Sequence, residues 1–511
     1  MSDQSANNKQ IAKNTLFLYF RMIILIIVQL YTVPVVLKNL GVSDYGLYNV
    51  IGGVVTMFTF IGGSLTSGVQ RYVAYAIGKD DSLLLKRTFQ TTVTIFWIFA
   101  IISMCFIECF GIWFLNNKMQ IPQDRICAAN WVLQFSIMTF VVNLISIPYN
   151  STIVAHEKMN IYAYVSLFEC FSKLLLAFSL PLIFFDKLIY YGAIMFCISL
   201  CIRLYYHYYC RKHFLECRNL SLEWDKKLGV NLLKYSGWNV IGTFANLGKQ
   251  QGLNIVVNLF FGTIINASHS IASQVNGVIN QFINNIYMAT RPRITKLYAC
   301  GKTDDMWNLV LSSSKLAFFL LIILCVPAII EIDYVLELWL KEVPEYTTNI
   351  VILLLCTTLI ETQTNQLFAA FQAANKIKYC QIYSSSILLL CIPFAYIGVK
   401  YICHNPLLPY LVSVSLSVVF ISALLLVARK ELHLSVSLYM KKVILPNLLC
   451  FSILFLCVEI ISRNLEQSFL RLLVTILSTV LIAPIVVYIF GLSRQERNIV
   501  CNIVKTRIFK K

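Results

Sequence analysis

Lys249 is a cationic side chain in the middle of an otherwise uncharged segment, and this position limits the chemistry it can do. It stands about thirteen residues into a predicted helix, or ~20 Å along the axis, too deep for its ammonium to reach water easily. No acid lies within one helical turn of it. Because an isolated charge in hydrocarbon is unfavourable, the sequence predicts that Lys249 is unpaired and faces a cavity.

Two other ionisable residues in apolar segments are candidates for chemistry. Arg21 lies only about seven residues into the first segment, so a cavity role and snorkelling to the interface are nearly equal alternatives. Glu361 is an acid with no sequence partner in a polar helix. It could be a protonation site for ion coupling or a structural carboxyl. Lys173 follows Glu169 by four residues, and this helical order predicts a structural ion pair.

Amide side chains recur with helical spacing on two consecutive predicted helices, near residues 235–261 and 267–289. Single amides of this kind commonly join packed helices, so packing explains each one alone. Two stripes on adjacent helices instead favour a hydrated cavity. The candidate cavity amides are Asn246, Gln250, Asn254, Gln274 and Asn280.

The composition shows what kind of chain carries these residues. Of its 511 residues 58% are hydrophobic and 13% are charged, and the mean hydropathy is +0.72. Soluble proteins carry about 25% charged residues, so a soluble globular protein is excluded. The net charge of +18 does not indicate nucleic-acid binding, because Lys and Arg punctuate apolar runs instead of forming a patch. Seventeen scattered cysteines without a C-x-x-C pair predict neither a disulfide framework nor a metal site.

Apolar runs long enough to cross a bilayer recur about fourteen times. With the N-terminus in the cytoplasm, 31 of the 42 Lys and Arg residues fall in cytoplasmic segments and eight in outer ones. The positive-inside rule therefore predicts that both termini are cytoplasmic. We expect an all-α polytopic membrane protein with about fourteen transmembrane helices. No loop is long enough to fold as a soluble domain, so function must reside in the helical bundle.

The chain repeats itself at an offset near 220 residues. Residues 40–42 match residues 261–263, and residues 155–158 match residues 373–376. We therefore predict two six-helix lobes in parallel orientation, followed by a C-terminal helix pair. The predicted limits are an N-terminal lobe over 1–210, a cytoplasmic connector over 211–234, a C-terminal lobe over 235–430, and two further helices with a basic cytoplasmic tail over 431–511.

These landmarks resemble those of the bacterial polysaccharide flippases, which translocate O-antigen or capsule repeat units. That family belongs to the multidrug/oligosaccharidyl-lipid/polysaccharide exporter superfamily, whose fold is MATE-like. The resemblance is carried by Leu40-Gly41-Val42-Ser43-Asp44-Tyr45-Gly46-Leu47-Tyr48, Gln70-Arg71-Tyr72, Ile153-Val154-Ala155-His156-Glu157-Lys158-Met159, Phe260-Phe261-Gly262, Arg291-Pro292-Arg293-Ile294-Thr295-Lys296 and Leu338-Trp339-Leu340. It covers most of the chain but rests on loop landmarks.

The resemblance implies flipping of an undecaprenyl-pyrophosphate-linked oligosaccharide from the inner to the outer leaflet of the bacterial cytoplasmic membrane. Lys249 and Arg21 would neutralise the pyrophosphate, and the amides would bind sugar hydroxyls. The implied partners are the glycan lipid, membrane lipids and a coupling ion, H⁺ or Na⁺; we expect a monomer without cofactor or metal. The alternative is a cation-coupled multidrug exporter of the same superfamily. No Walker A loop, G-x-S-x-G motif or acid/base dyad is present, so an enzyme is not expected.

Overall fold

The computed structural model describes residues 2–41, 44, 47–48, 51–52, 55, 59–117, 123–218, 223–340, 343–493 and 496–498. Parts of the predicted second span, four residues of the first landmark (42, 43, 45 and 46) and residues 499–511 of the predicted basic tail lie outside these ranges. The regular structure of the described residues is entirely helical, which confirms the predicted all-α class.

Sixteen α-helices of four residues or more are described. They are α1 (Ser2–Leu40), α2 (Thr59–Gly78), α3 (Ser82–Asn117), α4 (Ile126–Ala155), α5 (Met159–Ser179), α6 (Lys187–His213), α7 (Lys226–Ala299), α8 (Thr303–Ile330), α9 (Ile332–Leu340), α10 (Thr347–Thr362), α11 (Asn365–Ala373), α12 (Ile377–Ile397), α13 (Leu408–Leu432), α14 (Val436–Tyr439), α15 (Leu445–Arg463) and α16 (Phe469–Val486). A π-helical turn, Met440–Ile444, joins α14 to α15.

Ten segments of the described chain are long and apolar enough to cross a membrane. They include α3 to α6, α8 and the segments from Thr347 to Gly491. Helices α1, α2 and α7 are not among the ten, and α7 carries the amide stripes that lower its hydropathy. The count of fourteen spans therefore stays a prediction.

Gly262 divides the 74-residue α7 into two helical parts. Its backbone has φ 76° and ψ −163°, a region that side-chain-bearing residues scarcely adopt. Gly41, at the matched position of the first repeat, follows the end of α1 with φ 82°. Gly41 follows a long helix and Gly262 divides one, so both glycines use the positive φ that their missing side chain allows.

Two further turns repeat their backbone conformation. Glu157, between α4 and α5, has φ 61°, and the matched Asn375, between α11 and α12, has φ 58°. In the second turn the left-handed residues are Asp80 after α2, with φ 53°, and Gly301 after α7, with φ 73°, although the sequence match aligns Gly301 with Gly78. Residues with a side chain are uncommon at positive φ, so the recurrence of this conformation at the matched Glu157 and Asn375 agrees with an internal duplication.

The chain forms two compact units. Unit 1 comprises Met1–Val240 and Thr295–Gly301, and unit 2 comprises Ile241–Ile294 and Lys302–Lys511. In unit 1, α4 packs against α2, α3 and α6, and α1 packs against α5. In unit 2, α13 packs against α10 and α12, and α15 and α16 pack on α8. The lobe limits at residues 210, 235 and 430 remain predictions.

A buried ion pair connects the C-terminal helix pair to the end of α8. Glu331, which follows α8, is fully buried, and its Oε1 lies 2.8 Å from Arg471 Nε on α16. The Thr475 hydroxyl also donates to this oxygen across 2.9 Å. A buried carboxylate requires such partners, so this cluster fixes the position of α16.

Candidate functional site

Lys249 forms an ion pair with Glu361. Its Nζ lies 2.9 Å from Glu361 Oε1, and the two side chains are 14% and 29% exposed. Lys249 belongs to the first part of α7 and Glu361 to the last turn of α10. The expectations that Lys249 is an unpaired cation and that Glu361 is an unpaired acid are therefore both wrong. The partners are 112 residues apart, and packing of separate helices, not local spacing, brings them together.

Glu361 stands beside a break in its helix. Helix α10 ends at Thr362 and α11 begins at Asn365, with a tight turn between them. The break frees two backbone carbonyls, and two buried tyrosines on other elements satisfy them. The hydroxyl of Tyr287 donates to the carbonyl of Thr362 across 3.4 Å, and that of Tyr439 to the carbonyl of Gln363 across 2.6 Å. Such broken helices are where transporters commonly place substrate and ion sites.

A serine on α13 completes the contacts of the Glu361 carboxylate. The Ser417 hydroxyl lies 3.0 Å from Glu361 Oε1 and 2.9 Å from the backbone carbonyl of Ser413, so it shares its single proton between two acceptors. The thiol of Cys391 on α12 is buried close to Lys249 and Glu361 and beside the Ser413 hydroxyl. The site thus combines one cation, one carboxylate and neutral donors, and is electrically neutral when both charges are present.

Two glycines let α7 approach α12 closely around Lys249. A Cβ on Gly242 would lie 2.1 Å from Gln381 Oε1, and one on Gly252 would lie 2.5 Å from Ile392 Cδ1. A side chain at either position would displace Gln381 or Ile392, so the side chains of α12 pack directly on the backbone of α7. Lys249 is seven residues from Gly242 and shares its helical face. This is the face of α7 that packs on α12.

The predicted cavity amides occupy unit 2 but do not hydrogen-bond to Lys249 in the described structure. Asn246, Gln250 and Gln274 are exposed, while Asn254 and Asn280 are half-buried. Asn246 and Asn280 donate to backbone carbonyls four residues earlier in their own helix. The Oδ1 of Asn254 is buried and accepts no hydrogen bond from a described residue. These amides thus form a polar surface beside the ion pair, not part of it.

Some site residues were not predicted. Asn276 on α7 accepts a hydrogen bond from Thr358 on α10 across 2.8 Å, which joins the second part of α7 to the helix carrying Glu361. Ser417 was also missed, although Ser413 and Ser417 are four residues apart in an apolar helix. This spacing places two hydroxyls on one helical face, and it is the signal that could have identified that face.

Arg21 lies in unit 1, on α1. Its guanidinium stands over the Tyr162 ring of α5, 4.6 Å from the ring centroid, and its buried Nε donates no hydrogen bond to a described residue. Lys173 Nζ lies 2.6 Å from Glu169 Oε1, which confirms the predicted structural ion pair. Arg21 belongs to unit 1 and Lys249 to unit 2.

The chain matches solved structures, but no family model and no curated protein. Among solved structures, it is similar to an outward-facing multidrug resistance MATE family transporter of the MOP superfamily, at 15% identity and a TM-score of 0.65, covering 84% of this chain and 96% of that one.

Two further solved structures give the same result. A MATE structure in a bent conformation is 15% identical, with a TM-score of 0.69, covering 85% of this chain and 96% of that one. A MOP superfamily transporter from Pyrococcus furiosus, described as having a binding pocket of reverse polarity, is 15% identical with a TM-score of 0.65, covering 84% and 96%. The chain therefore has the fold of the MATE/MOP transporters.

Proposed function

We propose that this chain is a membrane transporter that moves an undecaprenyl-pyrophosphate-linked oligosaccharide from the inner to the outer leaflet. The fold supports a transporter, because solved chains of this fold are named as transporters. Identities near 15% do not extend to substrate. The substrate therefore has to be argued from this chain's own side chains.

The exposed amides of α7 carry the proposal. Gln250 and Gln274 lie on the two parts of this helix, and both are exposed. Polar groups exposed at membrane depth are unfavourable unless water or a polar cargo meets them. Amides both donate and accept hydrogen bonds, as do sugar hydroxyls, so an amide-rich surface suits a glycan better than an apolar drug.

The charged groups differ in their availability to the pyrophosphate, whereas the sequence predicted that Lys249 and Arg21 both neutralise it. Lys249 is neutralised by Glu361, so it does not present a free charge to a pyrophosphate in this arrangement. Arg21 remains a candidate for anion binding, since its Nε has a proton with no described acceptor. The proposal includes a bacterial cytoplasmic membrane location, cytoplasmic termini, a monomer and a coupling ion, H⁺ or Na⁺.

Reconstitution tests this function directly. Full-length protein in vesicles should make a fluorescent undecaprenyl-pyrophosphate-linked oligosaccharide, loaded in one leaflet, accessible to a glycosidase added to the other side. The double variant Gln250→Leu/Gln274→Leu should flip about tenfold more slowly, whereas Phe244→Leu, at an exposed apolar position of α7, should flip normally.

The same vesicles decide between cargo classes. An absence of glycan flipping, together with uptake of an organic cation driven by an ion gradient, would contradict the proposal and favour the multidrug exporter. That alternative draws on the Glu361 carboxylate, which is 29% exposed and could bind a cation if Lys249 moved away.

A further inference from the structure

We propose that an anionic phosphate group of the cargo competes with Glu361 for Lys249, and that the displaced Glu361 carboxylate takes up one proton from water. The inference deepens the proposed function and rests on its anionic cargo. It assigns to one site two linked ligands, a phosphate and a proton.

The Lys249 ammonium has more hydrogen-bond donors than its contact with Glu361 uses. Lys249 Nζ has three N–H donors, and one of them is directed at Glu361 Oε1. The lysine side chain is 14% exposed and the glutamate 29%, so the pair is not sealed inside the unit. The pyrophosphate of a lipid-linked oligosaccharide carries one negative charge on each phosphate, and the two charges together attract an ammonium more strongly than a single carboxylate does at a similar distance. A phosphate that reaches Nζ therefore competes effectively for it.

Ionised Glu361 loses its compensating charge once Lys249 is taken. A partly buried carboxylate left without a cation is destabilised, and proton uptake removes the charge. The carboxylate also ends α10, where the helix dipole is negative and disfavours an anion. Loss of Lys249 therefore shifts Glu361 toward its protonated form.

The contacts of Ser417 fit the protonated acid without rearrangement. A protonated Glu361 can donate its new O–H to Ser417 Oγ, which is 3.0 Å away. Ser417 can then direct its own proton to the carbonyl of Ser413, 2.9 Å away. The added proton comes from water and stays on the carboxyl oxygen, so no bond other than hydrogen bonds is broken.

Other charged groups of the neighbouring helices are engaged elsewhere. Lys315 on α8 pairs with Glu496, Glu331 after α8 pairs with Arg471, and Glu431 on α13 pairs with Lys376. The Cys391 thiol on α12 is a further titratable side chain near the pair and is buried, and the hydroxyl of Tyr287 on α7 is directed at the carbonyl of Thr362. The proton is therefore assigned to Glu361.

The two events are thermodynamically linked. If phosphate binding promotes proton uptake at Glu361, then protonation of Glu361 must increase phosphate affinity by the same factor. Glu361→Gln imitates the protonated acid, because its amide is neutral and can donate to Ser417. This variant should bind phosphate more tightly than wild type, and its phosphate affinity should no longer depend on the titration of residue 361.

Calorimetry on full-length protein in nanodiscs tests the linkage, with farnesyl pyrophosphate as the probe. Titrations at neutral pH in two buffers of different ionisation enthalpy give the number of protons taken up. Wild type should take up about one proton per ligand at pH near 7. Glu361→Gln should take up none and bind about tenfold more tightly, and Lys249→Met should bind at least tenfold more weakly.

Two controls keep the outcome decisive. Lys249→Met/Glu361→Gln lacks both charges and leaves neither one unpaired, so it should fold normally. If this folded variant fails to bind phosphate, the loss of binding comes from the missing Lys249 charge and not from misfolding. Binding by wild type with no proton uptake, or equal affinity in wild type and Glu361→Gln, overturns the linkage, and so does an absence of binding by both. If glycan flipping in vesicles is normal in any of these cases, the proposed function stands; if flipping is absent, that function fails independently.

Discussion

Lys296 and Glu157 form an ion pair at the end of α7, with Nζ 2.8 Å from Oε1 and both side chains less than 15% exposed. The pair joins the last turn of α7 to the turn between α4 and α5. Asn14 of α1 donates to the backbone carbonyl of Glu157 across 3.2 Å, so three helices meet at this turn. The second repeat has Asn375 at the matched position, which has the same backbone conformation but no charge.

Removing Lys296 alone should therefore destabilise unit 1 more than removing both charges of the pair. Lys296→Met leaves the Glu157 carboxylate buried without a cation and should lower the free energy of unfolding by about 2–4 kcal/mol. Lys296→Met/Glu157→Asn leaves neither charge unpaired and places at 157 a residue that tolerates φ 61°, so its loss should be about 1 kcal/mol. Thermal unfolding of the purified variants measures both. Equal losses would contradict the assignment of the larger effect to an unpaired charge.

The buried pair of the C-terminal helices makes a second prediction. Arg471→Met leaves Glu331 ionised and fully buried, and should cost about 3–5 kcal/mol of unfolding free energy. Arg471→Met/Glu331→Gln should recover much of that loss. The matched control is Arg463→Ala, since Arg463 is 76% exposed in its pair with Glu459 and should contribute about 1 kcal/mol or less. A large effect of the control would show that exposure does not separate the two pairs.

Acid sensitivity should arise at the end of the last helical segment. Burial raises the pKa of Glu496, but hydrogen bonds from Lys315 and Ser493 outweigh it and leave the pKa below its ordinary value of 4.5. A carboxyl with a lowered folded pKa stabilises the fold above its unfolded pKa, and this contribution disappears as the pH falls through the folded pKa. Wild type should therefore exceed Glu496→Gln in stability at neutral pH, and the difference should vanish in acid.

Unfolding midpoints from neutral pH down to about pH 3 measure this difference. A difference that persists unchanged in acid would contradict the role of the Glu496 charge. Asp333, an acid whose oxygen accepts from the Thr348 hydroxyl and has no described ion pair, provides the comparison variant Asp333→Asn.

Gly262 should tolerate no side chain without loss of stability. Gly262→Ala forces a Cβ into φ 76° and ψ −163°, at a cost of about 1–3 kcal/mol. Gly277 is a helical glycine of the same α7 with open space around its Cβ, so Gly277→Ala should be neutral or stabilising by up to about 1 kcal/mol. Thermal unfolding of the two variants separates backbone strain from the addition of a methyl group. Similar effects at both positions would contradict a strain mechanism.

The sequence predicts the features that depend on local spacing. Lys173 and Glu169 are four residues apart, and one helical turn brings them to 2.6 Å. The all-helical class follows from the length and hydropathy of the apolar segments. Lys249 and Glu361 are different, because nothing within a turn of either residue reports on the other. Their contact depends on which helices pack, and two close glycine contacts between α7 and α12 accompany it.

The same limit applies to the neutral groups around the acid. Ser417 looks in the sequence like one of many serines in apolar helices, whose hydroxyls commonly bond to their own backbone. It does so here, and it contacts Glu361 as well. Only the three-dimensional packing of α13 on α10 distinguishes it from Ser415 or Ser422, which are exposed and bond to their own helix.

The hydroxyl that donates to the carbonyl of Gln363, at the broken end of α10, belongs to Tyr439, which precedes the last two long helices and lies beyond residue 430, the predicted limit of the second lobe. The C-terminal segment thus supports the helix end that carries Glu361. Deleting residues 431–511 would then remove more than membrane anchorage: it would leave the carbonyl of Gln363 without this donor and loosen the orientation of Glu361 from a distance, whereas deleting the two long helices alone would retain Tyr439.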